Sequence, residues 1–416
     1  MGVAVLLRRP GLAALLGSEL VSMSGTAMTL IALPWFVLAT TGSPARTSVV
    51  MAAAAAGLAV CGIPGGWVAN RLGARRAMLV SNIVRAPLIA LIPFLHESGA
   101  LRFWMLPVIA FSVEAYTAPY QGAQAAVLAE LVGEDATAMA RATALFQAAS
   151  RATNLIGPGL AGILIAIIGA SKVLWIDAGS YLAAFFLTAL IPAAVKAAPD
   201  AEDLERLFAG ARFLVRDAFL RLFVPMLTIW EGAFAALVLL FPIIAYRRYD
   251  GDPHVAGALL AAIGAGSIVG SMLAYRMVGR FPPARLGTLA GLGQVLPVWV
   301  LAFHVPAFVA AAAMAASGVF QPIANAPLFS LITLRIPVSL RPTALAAMAT
   351  IAMSGAPVGV VIVGPLVTVA GIGVTVAALA TALTASSVIL VLWLPRLAGE
   401  RSWRLRSAAE TGLGEL

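Results

Sequence analysis

Twelve apolar runs, each of about the length that crosses a bilayer, constrain this chain more than any other feature. A transmembrane helix needs about 20 mostly apolar residues to cover about 30 Å of hydrocarbon. The first six runs are Gly11–Ala39, Thr47–Ala69, Ala77–Leu95, Phe103–Leu128, Thr143–Ile168 and Val173–Val195. After a polar stretch come Leu222–Tyr246, Val255–Tyr275, Leu286–Phe303, Ala307–Leu334, Thr343–Ala370 and Gly373–Leu394. The runs do not alternate in polarity as barrel strands do, so they predict an all-α integral membrane protein. Only 11% of the residues are charged and 61% are hydrophobic. That excludes a soluble globular chain, which carries about 25% charged residues, and a disordered one.

Arginine placement gives the orientation. Twenty of the 27 Lys and Arg residues flank the spans on the N-terminal side, from Arg8, Arg9, Arg71, Arg75 and Arg76 to Arg396, Arg401, Arg404 and Arg406. Only Arg46, Arg102, Lys172, Arg247 and Arg248 lie on the other side, and Arg85 and Arg151 fall inside spans. Both termini are therefore expected in the cytoplasm, and the net charge of +9 reads as a topology signal, with no nucleic-acid partner. The first span is too long for a leader peptide, and Arg8 and Arg9 follow the short apolar stretch before it.

The one long polar connection runs from Lys196 to Arg221. Within it Leu204, Leu207, Phe208, Ala211, Leu214, Val215 and Phe219 recur at helical spacing, with Arg206, Arg212 and Arg216 on other faces. That pattern predicts an amphipathic linker helix on the cytoplasmic membrane surface. Residues 1–195 and 222–395 then form two six-helix bundles, joined by linker 196–221 and followed by a tail at 396–416. Gly66, Arg141 and Gly157-Pro158 have counterparts in Gly270, Arg341 and Gly364-Pro365, at offsets of 204, 200 and 207 positions. Such repeats, with a binding site between them, are a transporter architecture.

The connection after the second span reads Gly66-Trp-Val-Ala-Asn70-Arg71-Leu-Gly73-Ala-Arg75-Arg76. Gly66 permits close helix approach, Gly73 a tight turn, and the arginines hold the loop at the cytoplasmic face. The stretch resembles the loop signature of the major facilitator superfamily, Gly-x-x-x-Asp-Arg-x-Gly-x-Arg-Arg. In that family the acidic residue latches onto the start of the eleventh helix. Asn70 stands at that position here, and it can hydrogen-bond a helix N-terminus but brings no charge to the dipole.

A second stretch, Gly157-Pro158-Gly159-Leu160-Ala161-Gly162, is similar to the Gly-Pro-x-x-Gly-Gly antiporter motif of drug–proton exporters. Ala161 replaces one glycine. Small residues there let the fifth span pack against the other half, and Gly264, Gly266 and Gly270 of the eighth offer a matching smooth surface. The text from Ser24-Gly25-Thr26 through Ala32-Leu33-Pro34-Trp35 to Thr41-Gly42-Ser43 looks like bacterial exporters of the enterobactin and macrolide-efflux kind.

Six ionisable residues fall inside the spans: Glu19, Arg85, Glu114, Arg151, Asp177 and Glu231. A charge at mid-membrane costs about 2.5–3.5 kcal/mol on insertion scales, so each needs a partner, water or a task. Counted along their helices, Glu19, Arg85, Arg151 and Glu231 lie roughly 12–14 Å deep and Glu114 about 17 Å, near the midplane. Asp177 is expected only about 6 Å from the outer face, where water would solvate it.

In the superfamily the first, fourth, seventh and tenth helices line the central cavity, and Glu19, Glu114 and Glu231 fall on the first, fourth and seventh. A carboxylate there can trade a proton for a substrate, so these three are the expected coupling residues. Arg85 and Arg151 are expected to serve as structural or gating partners. Trp35, Tyr116, Tyr120, Trp230, Gln321 and Asn325 are expected to face the same cavity, where aromatics and amides suit a bulky organic molecule.

The expectation is a monomeric, proton-driven exporter of a small amphipathic compound in a bacterial inner membrane, with no cofactor. A uniporter or importer on the same fold is the alternative reading. An ATP-driven pump would need Gly-Lys-Ser/Thr, yet neither Lys172 nor Lys196 follows a glycine. A membrane-embedded enzyme would need a catalytic cluster, and a single cysteine with three scattered histidines supplies none.

Overall fold

The computed structural model describes residues 11–133, 136–192, 203–337 and 340–398. Arg8, Arg9, Lys196 and the tail beyond 398 lie outside them, as do the side chains of Gly66, Asn70 and Arg151. Described residues form helices and connections, with no strand among them. In hydrocarbon every backbone N–H and C=O needs an internal partner, which a helix provides within one segment.

The helices are α1 (Leu12–Thr41), α2 (Pro44–Leu72), α3 (Ala74–Glu97), α4 (Met105–Val132), α5 (Ala136–Ile168) and α6 (Ala170–Ala189). Then follow α7 (Asp203–Arg216), α8 (Ala218–Arg248), α9 (Pro253–Met277) and α10 (Pro283–Val295). The last are α11 (Ala307–Arg335), α12 (Arg341–Met353) and α13 (Gly355–Leu397). Among the described residues, nine helical stretches are long and apolar enough to cross a membrane. The last of these, Thr343–Leu397, spans 55 residues and holds both of the final expected runs. Gly371 breaks it, with φ 81° inside α13. The ninth expected run is α10 continued by a 3-10 turn, Leu296–Ala302.

Short connections join the helices. Gly73, between α2 and α3, has φ +83°, a conformation that glycine adopts without strain. Beside it, Arg75 Nη2 donates 2.7 Å to the Ala189 carbonyl at the end of α6.

The chain divides into two compact units. Unit 1 comprises residues 1–200, 238–261 and 360–369, and unit 2 the remainder. In unit 1, α1 packs on α5 and α6, α3 on α4 and α6, and α2 along α4. Ile31, Phe36, Val50, Ile89, Leu106 and Leu174 form its core together with Ala245 of α8 and Ala256 of α9. The antiporter-like stretch lies in this unit. A methyl group on Gly157 would meet Ala27 of α1 at 2.6 Å, and one on Gly162 would lie 2.8 Å from the Pro253 carbonyl oxygen at the start of α9. The α9 glycine that faces this stretch is Gly257, against the Pro158 carbonyl.

Gly266 and Gly270, expected to supply that surface, face α11 instead, against the carbonyls of Ala315 and Val319. Helical periodicity explains the difference: Gly266 and Gly270 share a face four residues apart, while Gly257, about two and a half turns before Gly266, sits on the opposite one. In unit 2, α7 packs on α12, with Gly210 against Thr343 and Ala344. Leu214 is buried with Phe219, Phe223, Ile332 and Met348, while Val215 is exposed. One face of the predicted amphipathic helix therefore meets protein.

Candidate functional site

Unit 1 contains a cavity of about 260 Å³ lined from α1, α2, α3, α4, α5 and α6. Its polar lining includes Glu19, Arg85, Glu114, Tyr120 and Tyr181, and its apolar lining includes Met23, Leu33, Ile89 and Val113. A second cavity of about 500 Å³ lies between α1, α4 and α5 and shares Glu19, Met23 and Gln121 with the first. Glu19 thus stands where the two meet.

Arg85 is the centre of the first cavity's polar wall. It is only 2% exposed, and its guanidinium carbon lies 3.9 Å from the centroid of the Tyr181 ring and 5.3 Å from that of Tyr120. The ring faces thereby stabilise the cation. Its Nε and Nη1 atoms are buried without a hydrogen-bond partner. One turn earlier, both amide atoms of the fully buried Asn82 are also unpartnered.

Hydroxyls satisfy two of the carboxylates. Tyr120 donates 2.9 Å to Glu19 Oε2. Thr29 donates 2.6 Å to Asp177 Oδ2, and Ser180 lies 3.1 Å from Oδ1. Gly25 makes room for this pair, because a Cβ there would collide with the Ser180 and Asp177 side chains.

Asp177 is therefore not solvated near the membrane surface, as its depth suggested; it is 0% exposed. Counting residues from a span's end gives depth but not facing, and Asp177 and Tyr181 lie four apart on the face of α6 that packs on α1. The i, i+4 spacing from Asp177 is the sequence signal that places Tyr181 at the site.

Of the expected substrate contacts, Tyr120 lines this cavity. Trp35 lies in the core, edge-on to Tyr246 with ring centroids 5.8 Å apart, and Tyr116 is 37% exposed outside the cavity lining. Four expected residues, Trp230, Glu231, Gln321 and Asn325, line a separate cavity of about 200 Å³ in unit 2. There Trp230 stacks on Phe234 at 5.2 Å between centroids. Gln294, Thr288 and Ser387 of the same wall were not anticipated; they are isolated polar residues within apolar runs.

The sequence profile described as the Major Facilitator Superfamily matches residues 15–360. The chain belongs to that superfamily. It is a membrane transporter, and not an enzyme. It is 26% identical over 402 residues to the multidrug efflux pump Tap of Mycolicibacterium fortuitum, covering 94% of this chain and 97% of the relative. Against Tap of Mycobacterium tuberculosis strain H37Rv it is 23% identical over 392 residues, covering 91% and 92%. The solved structure of the nucleoside transporter NupG superposes with a TM-score of 0.72 at 13% identity, covering 93% of this chain and 98% of that one. A D-xylose-proton symporter superposes with a TM-score of 0.66 at 14% identity, covering 95% and 99%. These structures share the fold of this major facilitator protein.

Proposed function

We propose that this transporter exports small amphipathic organic compounds across a bacterial inner membrane by alternating access, driven by inward proton flow. The observation that carries the reading is the cavity of unit 1, where the carboxylates of Glu19 and Glu114 share a wall with buried Arg85 and lie against apolar side chains. A protein that moves an organic molecule against its gradient needs a surface for the molecule and a group that exchanges a proton with water. Glu19 supplies the second, at the junction of two cavities. The near full-length likeness to pumps named for multidrug efflux supports export of organic compounds over import.

In this reading twelve transmembrane helices form two bundles, 1–195 and 222–395, joined by the linker at 196–221, with a tail at 396–416 and both termini in the cytoplasm. The chain works as a monomer. Glu19, Glu114 and Glu231 exchange protons, and Tyr120, Trp230, Gln321 and Asn325 contact cargo. A shift between two states follows only if proton and cargo bind them with different affinity.

The test is proton flux in liposomes containing the purified protein and a trapped pH dye. Amphipathic compounds added under an imposed gradient should move protons in the wild type, and Glu19→Gln should abolish that movement. Compound transport without proton movement would overturn proton coupling and point to a uniporter or a coupling ion other than the proton.

A further inference from the structure

We propose that Arg85 is the anchor for an anionic group, so that the favoured cargo of the unit 1 cavity is an organic acid or zwitterion with an apolar body. The inference rests on the transport reading above. A guanidinium carries five N–H donors, one on Nε and two on each terminal nitrogen. With Nε and Nη1 both unpartnered, either in-plane edge that could meet a carboxylate retains a free donor. The side chain is 2% exposed and lines the cavity, so those donors face neither bulk water nor a protein acceptor. A buried donor left without an acceptor bears its full desolvation penalty. Nε and Nη1 are covered by neighbouring side chains, so a planar anion in the cavity removes that penalty once those side chains shift aside.

The neighbouring carboxylates do not take this role. Glu19 is held by Tyr120, and Asp177 by Thr29 and Ser180, so hydroxyls from α1, α4 and α6 occupy them. Glu114 lines the same cavity but accepts from neither Nε nor Nη1. Tyr181, 3.9 Å away, stacks on the guanidinium and leaves these two donors open. Leu33, Ile89 and Val113 supply the apolar wall for the rest of the molecule.

The experiment compares dansylglycine with its methyl ester, one fluorophore with and without a carboxylate, binding to the purified full-length protein. The wild type should bind the acid about tenfold tighter than the ester, one charge-assisted contact. Arg85→Gln should equalise the two by weakening the acid alone. Equal binding of acid and ester to the wild type, or discrimination retained in Arg85→Gln, overturns the proposal. Should Arg85→Gln not fold, Arg85→Lys, which keeps the charge but not the planar fork, should weaken the acid with the ester unchanged. Unchanged acid affinity in folded Arg85→Lys overturns it equally. Proton-linked transport of the ester with no preference for the acid would leave the export reading intact and remove this one. Acid binding that depends on Arg85, without proton movement by any probe, would do the reverse.

Discussion

The Tyr120 hydroxyl on α4 donates a 2.9 Å hydrogen bond to Glu19 on α1, at the junction of the two cavities of unit 1. This contact orients the carboxylate proposed to exchange protons and ties it to the helix that also carries Glu114. Tyr120→Phe deletes one donor and keeps the ring that lies beside Arg85. Hydrogen bonds to charged groups contribute about 1.5–3 kcal/mol, equivalent to about tenfold or more in an equilibrium constant. Substrate-linked proton flux in liposomes should therefore fall by about tenfold in Tyr120→Phe while the protein stays folded. Flux equal to the wild type would detach Glu19 from coupling.

The buried carboxylate of Asp177 depends on Thr29 across the α1–α6 contact. Thr29→Val is nearly isosteric and removes the 2.6 Å bond. The expected loss in unfolding free energy is about 1–3 kcal/mol, the penalty for a buried acceptor left short of a donor. Gly25→Ala should be worse, since the added methyl collides with Ser180 and Asp177. Thermal unfolding in detergent checks both, and a Thr29→Val protein as stable as the wild type would show that water replaces the hydroxyl.

Apolar length made the all-helical membrane fold legible, because the bilayer imposes a length on every span. Glycine chemistry was partly legible. Gly73 adopts the positive φ that the loop motif implied, and Gly157 and Gly162 make close approaches. Which glycines of α9 meet α5 was not legible, since facing depends on helix rotation that tertiary packing sets. The site was readable as a set of charged positions, but not as a network. Asp177 is buried against Thr29 instead of solvated, because depth along a helix says nothing about which neighbour a side chain meets.

Asp217 caps α8 and pairs with Arg335 of α11 within unit 2. Its Oδ1 accepts from the backbone N–H groups of Phe219 and Leu220 at 2.9 and 3.0 Å, and Oδ2 accepts from Arg335 Nε at 2.8 Å. Loss of such an N-cap costs about 0.5–2 kcal/mol, and the partly buried Arg335 would also lose its partner. Asp217→Ala should lower the unfolding temperature more than Asp217→Asn, which keeps the cap but not the charge. Equal effects would assign the stabilisation to the ion pair alone.

The sidedness proposed from arginine placement can be tested residue by residue. Cys61 is the one cysteine, so a Cys61→Ser background accepts single reporters. Arg102, Arg76 and Arg280 are all exposed in or beside connections between helices, where a reagent can reach them. In intact cells a membrane-impermeant maleimide should label Arg102→Cys, with Arg76→Cys and Arg280→Cys reacting only after permeabilisation. Arg76 and Arg280 belong to different halves, so their joint protection tests the parallel relation of the two repeats as well as their orientation. Labelling of Arg280→Cys but not Arg76→Cys in intact cells would mean an odd number of crossings between them. The reading of six spans per half would then be wrong, whatever the transporter's cargo.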